Sequence, residues 1–356
     1  MHPIVSPLER IALLRKDLGR PMAMDWEHRD VEIVVPAIDV WYEPSVHLDG
    51  QIEKISAAAF GTVQAAVSTL PGHRRTCKPI RARRLRNCYI THKRLIRPPA
   101  TVVTLNLRRP DAPHPWRYAT VDEPVALCSS VLGTHFFGDW LRDDCPTRLL
   151  AQDRGRIRRL ETPNWPDADV YRRIFGHDDL TAENHFYRDL TLFDDAGQNP
   201  HKAERFRQLR RRVLDACPAS NPEIVYMRRG ATGAQRELHN EDELIALLEG
   251  LGTTIIEPET DGDALIRKCL GAKIFVSIEG SQLSHALYTL RDRAGLLVIQ
   301  PPDRFYVSHR DWSAVMGIPF GFIVGDAEAG GFRVNLDDFQ RTLDRLAARL
   351  DAPAEA

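Results

Sequence analysis

Between residues 222 and 301, short apolar runs alternate with segments of helical period, and no other feature of the chain constrains the fold as strongly. Glu223-Ile-Val-Tyr-Met227 reads as a strand, followed by a loop from Arg228 to Glu237. Asn240-Glu-Asp-Glu243 then opens a helix in capping-box style, with Leu244, Ile245, Leu247, Leu248 and Leu251 on one face and Gly252 as its stop. Thr253 to Ile256 is the next strand, Asp261 to Leu270 a helix stopped by Gly271, and Lys273 to Val276 a third strand. Ser281 to Leu290 is a third helix and Leu296 to Ile299 a fourth strand. Strand–helix–strand units of this length require right-handed crossovers and therefore a parallel sheet. Such a sheet, covered on both faces, binds ligands where its strands end at their carboxyl edge. Four loops are expected on that rim: Arg228 to Arg236, Glu257 to Asp261, Ser277 to Ser284 and Gln300 to Phe305.

The N-terminal 200 residues are less regular and rich in Pro and Arg. Ile55 to Leu70 reads as a helix, Thr101 to Leu107 and Pro124 to Cys128 as strands, and Asp139 to Ala151 as a helix bent at Pro146. A chain of 356 residues with 43% hydrophobic composition can build more than one core. We therefore expect an α/β domain over 1–199 and a Rossmann-like domain over 200–330. A C-terminal helix and tail should cover 331–356, with Asp194 to Pro200 as the linker.

With 48 Lys and Arg against 49 Asp and Glu, the formal charge is −1, so a polyanion partner would have to be recognised by a local patch. The six cysteines show no C-x-x-C pair and no clustering with histidine, which argues against zinc and against a disulfide framework. The N-terminus, MHPIVSPLERIALLRKD, is charged where a signal peptide needs an apolar core, and no run approaches 18 uninterrupted apolar residues. An intracellular protein is expected, with peripheral membrane attachment left open.

Arg228, Arg229 and Arg236 follow the first strand of the regular region, and the Ser277 to His285 segment follows the third. Arginines at a strand end, facing a Gly-Ser turn that opens a helix, suit a diphosphate: guanidinium forks supply charge and the turn supplies backbone N–H groups. A nucleotide-sugar donor fits that rim. Solvated loop charges are the competing reading of the arginines, and Asn240 needs only to cap a helix.

On these residues the run from Glu223 to Pro301 resembles the donor half of glycosyltransferase family 61. The family's strand ending in Ser-Arg is matched by Met227-Arg228, its Arg before an Asn-Glu helix start by Arg236 with Asn240-Glu241, and its Pro-Glu by Pro258-Glu259. Its Gly-x-His-Gly-Ala-Gly-Leu-Thr-Asn loop is matched by Ser277 to His285. Upstream, Gly133 to Pro146 is similar to the family's Asn-aromatic-x-His-Trp-Leu-x-Asp-x-x-Pro segment, and Tyr187 to Phe193 with the Arg-rich helix around Phe206 to Leu214 matches the stretch before the donor domain. The resemblance covers roughly residues 125–325. Three donor-loop positions depart from the pattern: the family's His is Glu279, its second Gly is Gln282 and its terminal Asn is His285. In the upstream segment the family's His falls at Asp139, or at His135 with a different gap.

The resemblance implies a GT-B-like α/β fold, with two Rossmann-like domains whose parallel sheets face a central cleft. It also implies inverting hexosyl or pentosyl transfer from a nucleotide sugar, UDP-linked, to a glycan acceptor. Arg228, Arg229, Arg236, Asn240, Glu259, Glu279, Gly280, Ser281, Gln282, Ser284 and His285 would contact the donor. Inverting transfer is a single displacement in which a base takes the acceptor proton while cations hold the departing nucleoside diphosphate. Asp139 is the first candidate base, with Asp143 four residues on and His135 in reserve; charge favoured at a helix N-terminus is the alternative explanation of the two aspartates. No convincing D-x-D site is present, so no metal and no cofactor are expected. Bacterial capsular or surface polysaccharide synthesis on the cytoplasmic side of the membrane follows from the same resemblance.

From His73 to Arg97 the chain carries ten Arg and Lys, from Arg74 onward, and no acid. This stretch would suit an anionic membrane face or an acidic acceptor, with pairing to acidic segments such as Asp167 to Asp179 as the alternative. Tyr89 is its one aromatic, so nucleic acid is not expected. A nicotinamide oxidoreductase is disfavoured because no G-x-G-x-x-G follows a strand. A degenerate family member that binds glycan or nucleotide without turnover is the stronger competitor.

Overall fold

The computed structural model describes residues 30–97, 101–106, 118–230, 236–258 and 260–352. The chain divides into two compact units, both discontinuous in sequence. One gathers the segment ending at Ala37 with Lys78–Trp165 and Gly176–Gly197; the other gathers Ile38–Cys77, Pro166–Phe175 and the chain from Gln198 onward. The segments 38–77 and 166–175, which the sequence places among the first 199 residues, thus belong with the C-terminal unit.

The first unit is built on one mixed sheet of nine strands. They are Val31–Val35 (β1), Ile80–Ile90 (β2), Arg94–Arg97 (β3), Thr101–Thr104 (β4), Ala119–Val121 (β5), Val125–Leu127 (β6), Arg156–Arg159 (β7), Leu180–Thr181 (β8) and His185–Asp194 (β9). The longest pairing is β2 with β9, antiparallel from His185 opposite Ile90 to Asp194 opposite Arg81. Strands β5, β6, β7 and β8 pair in parallel on the β9 side, whereas β1, β3 and β4 pair antiparallel on the β2 side. Only half of this sheet is therefore of the parallel kind expected. The arginine-rich stretch contains all of β2, where Ile80, Ala82, Leu85 and Cys88 are buried while Arg81, Arg83, Arg84 and Arg86 are not; the two-residue alternation of a strand holds over 80–83 and is then lost.

The Asp139 to Ala151 helix is present but begins at Phe137, and its irregularity lies before Pro146. Trp140–Asp144 forms a π-helical turn, and Pro146 sits harmlessly in the first turn of the α-helix Cys145–Ala151.

The second unit holds a parallel sheet of five strands. They are Ile224–Met227 (β10), Thr254–Ile256 (β11), Ala272–Ile278 (β12), Leu290–Gln300 (β13) and Phe320–Val324 (β14), in the order β11-β10-β12-β13-β14. The four expected strands are all found, and β14 adds a fifth. Helix Glu241–Gly250 joins β10 to β11, and Gly262–Cys269 joins β11 to β12; Asp261 caps the latter by accepting from the Ala264 amide at 3.0 Å. The last helix, Leu336–Asp351, packs Phe339, Leu343, Leu346 and Leu350 against Leu297 and Ile299 in this unit's core, each contributing about 1.5–3 kcal/mol of burial.

Two expectations are corrected here. The helix expected over Ile55 to Leu70 is only Val63–Val67, because the preceding residues bond to another segment: Ser56 N donates to Pro302 O (2.7 Å), Phe305 N to Ala57 O (2.9 Å) and Ala59 N to Phe305 O (2.9 Å). The third crossover is a 3₁₀ turn, Ser281–His285, followed by a single α-turn, Ala286–Thr289, rather than one continuous helix. No helix of the described residues is long and apolar enough to cross a membrane.

Candidate functional site

The strand order of the second unit puts β10 beside β12, with their crossovers leaving in opposite directions. Sheets of this order bind ligands in the crevice at that switch point, outside the carboxyl ends of the two strands. Four rim side chains converge there. Arg229, just past β10, donates from Nη1 to Glu279 O at 3.2 Å and lies 3.4 Å from Gln282 Oε1. Arg236 donates from Nη1 to the same carbonyl at 2.6 Å and lies 2.9 Å from Glu279 Oε2. Arg304, from the loop after β13, brings Nε to 3.9 Å from Glu279 Oε2. Three guanidinium groups thus face one carboxylate.

The backbone beneath the cluster is tightly tied. Ser277 Oγ donates to Met227 O (2.6 Å), Gln282 Nε2 donates to Ile278 O (2.7 Å) and to Ser277 Oγ (3.1 Å), and Glu279 N donates to Ile299 O (2.9 Å). Gly280 has no substitute with a side chain unless neighbours move: a Cβ there would lie 2.2 Å from Arg229 Nη1 and 2.3 Å from Gln282 Oε1. Its glycine is thus what lets the guanidinium approach the turn.

Burial shapes the charges. The Arg236 and Glu279 side chains are only 7% and 5% exposed. Burial pushes the Arg236 guanidinium down to about 10, opposed chiefly by Glu279. It pushes the Glu279 carboxyl above the usual glutamate range, opposed by Arg236, Arg304 and Arg229. Burial also lowers Arg229, again opposed by Glu279.

The other expected donor residues are distributed differently. Arg228 pairs with Glu257 (3.0 Å) and Glu241 (3.3 Å), and Tyr226 Oη donates to the other oxygen of Glu241 at 2.8 Å. Asn240 makes no cap bond; its amide clasps the backbone of Val334, accepting from N at 3.0 Å and donating to O at 2.9 Å. Ser281 opens the turn beside Gly280, whereas Ser284 is buried. His285 is buried too, with Nδ1 2.8 Å from Tyr171 Oη and Nε2 3.4 Å from Asp167 Oδ2, so it ties the turn to segment 166–175. Glu259 lies outside the described residues. Arg304 was not singled out from sequence; its signal was a cation in a loop already assigned to the rim.

In the first unit, the π-turn brings Asp139 and Asp143 onto one guanidinium. Arg142 Nη2 donates to Asp139 Oδ1, and its Nε and Nη2 reach Asp143 Oδ2 at 3.0 and 2.6 Å. Asp144, which the sequence did not point to, accepts from the Ser130 amide at 2.9 Å, and a Cβ on Gly133 would lie 2.1 Å from its Oδ2. Thr147 Oγ1 joins Asp143 O (2.8 Å) to Asp195 Oδ2 (2.7 Å). Trp140 and Phe137 pack on Trp165, and His135 packs edge-on against Phe136 at 4.3 Å. Among the described residues, no group of three or more His, Cys, Asp or Glu is placed to hold a metal ion.

Four cations of the basic stretch are answered by acids. Arg84 makes a two-pronged contact with Asp189, Arg81 and Arg83 lie 3.8 and 3.6 Å from Asp194, and Arg75 pairs with Asp311. The partners of β2 are thus on the adjacent strand β9, rather than in the 167–179 segment.

A comparison with curated proteins finds no match. The family model described as Glycosyltransferase 61 matches residues 137–297, a stretch that begins two residues before Asp139 and takes in Arg229, Arg236 and Glu279 but not Arg304. The matched stretch thus holds two of the three switch-point arginines and the Asp139–Asp143 turn, and over it the chain is similar to Glycosyltransferase 61.

Proposed function

We propose that the protein is an inverting glycosyltransferase that moves a sugar from a nucleotide-sugar donor, UDP-linked, to a glycan acceptor. The observation that carries this reading is the cluster of Arg229, Arg236 and Arg304 at the sheet's switch point. A departing nucleoside diphosphate develops negative charge as the glycosidic bond breaks, and preorganised guanidinium groups in a partly buried site stabilise that charge without a metal ion. Because the turn after β12 is short and 3₁₀, the cations rather than a helix N-terminus supply most of that stabilisation.

Asp139 is the base that takes the acceptor hydroxyl proton in this reading. Arg142 orients it together with Asp143, and His135 is the alternative base. A GT-B arrangement, a role in bacterial capsular or surface polysaccharide synthesis, and a cytoplasmic site of action with peripheral membrane contact through 74–97 belong to the same proposal and rest on the family resemblance.

A second reading is favoured by one observation: Glu279 already holds the arginines that a diphosphate would need, as in a family member that binds nucleotide or glycan without turnover. Titration with UDP and other nucleoside diphosphates separates the cases from a protein with no such site. Arg304→Ala should weaken binding about 10-fold, as loss of a charge-assisted contact does, whereas Arg228→Ala, whose charge is already paired, should change it far less. Equal affinity in wild type and Arg304→Ala would overturn the assignment. Slow hydrolysis of a sugar nucleotide by the wild type, absent from Asp139→Asn, would distinguish an enzyme from a binding protein.

A further inference from the structure

Segment 56–60 lies far from the switch-point loops in sequence and outside the matched family region, yet it runs alongside the rim. Its backbone is zipped to the loop after β13. Ser56 N and Oγ both bond to Pro302 O, at 2.7 and 3.0 Å, and Ala58 bridges Phe305. The loop is fixed from below by the buried Gln300, whose amide donates to Tyr306 O at 2.7 Å and accepts from Tyr306 N at 3.2 Å. Two aromatic rings are held at the end of this pairing. Phe60, 68% exposed, meets Tyr306 edge-on with centroids 5.7 Å apart.

The position of this pair matters more than its exposure, since single exposed apolar residues are common. Tyr306 is two residues from Arg304, so their Cα atoms are at most about 7 Å apart. It is also within electrostatic reach of Arg236. An aromatic pair with one exposed ring, its rings inclined at 61°, therefore stands at the loop that carries Arg304.

We propose that Phe60 and Tyr306 form the stacking platform for the nucleobase of a nucleoside diphosphate whose phosphates lie on Arg229, Arg236 and Arg304. The proposal rests on the donor-site reading above and extends it to a segment that nothing else connects with the donor. Stacking tolerates every base, so the platform supplies affinity for the nucleoside rather than the choice of base.

The test compares inorganic pyrophosphate with UDP, ADP, GDP, CDP and dTDP by calorimetry on the full chain, in wild type, Phe60→Ala, Phe60→Trp and Arg304→Ala. The expected result is at least one nucleoside diphosphate bound more tightly than pyrophosphate by the wild type. Phe60→Ala should weaken that nucleotide about 10-fold and leave pyrophosphate unchanged, while Phe60→Trp retains the wild-type affinity. Arg304→Ala should weaken both ligands. Nucleotide affinity unchanged in Phe60→Ala, or equal losses for nucleotide and pyrophosphate, would overturn the platform. Wild type binding pyrophosphate as tightly as every nucleotide would overturn the platform while leaving the arginine site standing. Failure of the wild type to bind any of the six would overturn the donor-site reading and the platform with it.

Discussion

The two units each carry a cluster of arginine and carboxylate, with arginine the majority in one and carboxylate in the other. At the switch point three arginines surround one glutamate; at the π-turn two aspartates share one arginine. In each, the minority charge sets the geometry of the majority, since Glu279 gathers the guanidinium groups and Arg142 gathers the carboxylates. The majority differs in sign, and so does the chemistry available: guanidinium groups can hold an anionic leaving group, and carboxylates can accept a proton. Burial separates them further, because Glu279 and Arg236 are 5% and 7% exposed whereas Asp139 and Arg142 are 15% and 13% exposed.

Removing one partner should therefore hurt the deeper cluster most. Arg236→Ala leaves a buried carboxylate without its nearest cation and should cost about 3–5 kcal/mol at pH 7. That loss should shrink as pH falls and Glu279 takes up a proton; urea unfolding at pH 7 and pH 5 measures both parts, and a loss that does not shrink would break the account. In the shallower cluster the effect should fall on rate. Asp139→Asn should lower transfer at least about 100-fold, as loss of a general base does, with nucleoside diphosphate affinity unchanged; an unaltered rate would pass the role to His135 or Asp143.

The two tight glycines sharpen the contrast. A Cβ on Gly133 meets the short, buried Asp144 carboxylate, so Gly133→Ala should destabilise by about 1–3 kcal/mol. A Cβ on Gly280 meets the far ends of Arg229 and Gln282, which can swing aside, so Gly280→Ala should keep the thermal midpoint and lose diphosphate affinity instead. The smallest effect concerns pH. Burial raises Glu279 above its ordinary 4.5, so its charged form opposes folding in full above the raised value. That opposition fades as pH falls towards 4.5. Stability should accordingly rise on acidification through this window in the wild type, and Glu279→Gln should flatten the slope.

Much of the second unit was legible because its information is local. Strands at Ile224, Thr254, Ala272 and Leu296 and the helices between them follow from apolar period and from stops such as Gly252 and Gly271, and parallel pairing then assigns the rim loops to one edge. The first unit was harder to read. The arginines of β2 drew attention as charge, while the buried–exposed alternation of a strand holds there only over 80–83. Ile55 to Leu70 has helical composition, but hydrogen bonds to Pro302 and Phe305 hold its first part extended.

Residue identity and order alone determined the βαβ succession, the cations and turn that belong to its carboxyl edge, and the match of 137–297 to the Glycosyltransferase 61 family model. Only the tertiary structure decided which way those side chains turn. It gave Arg228 to Glu241 and Glu257, Asn240 to Val334, and His285 to Asp167 and Tyr171, and it set Arg304 beside Glu279. These pairings join residues tens to more than a hundred positions apart. Such partners are chosen by burial, because a charge or amide removed from water must find a complement wherever the chain's packing happens to place one.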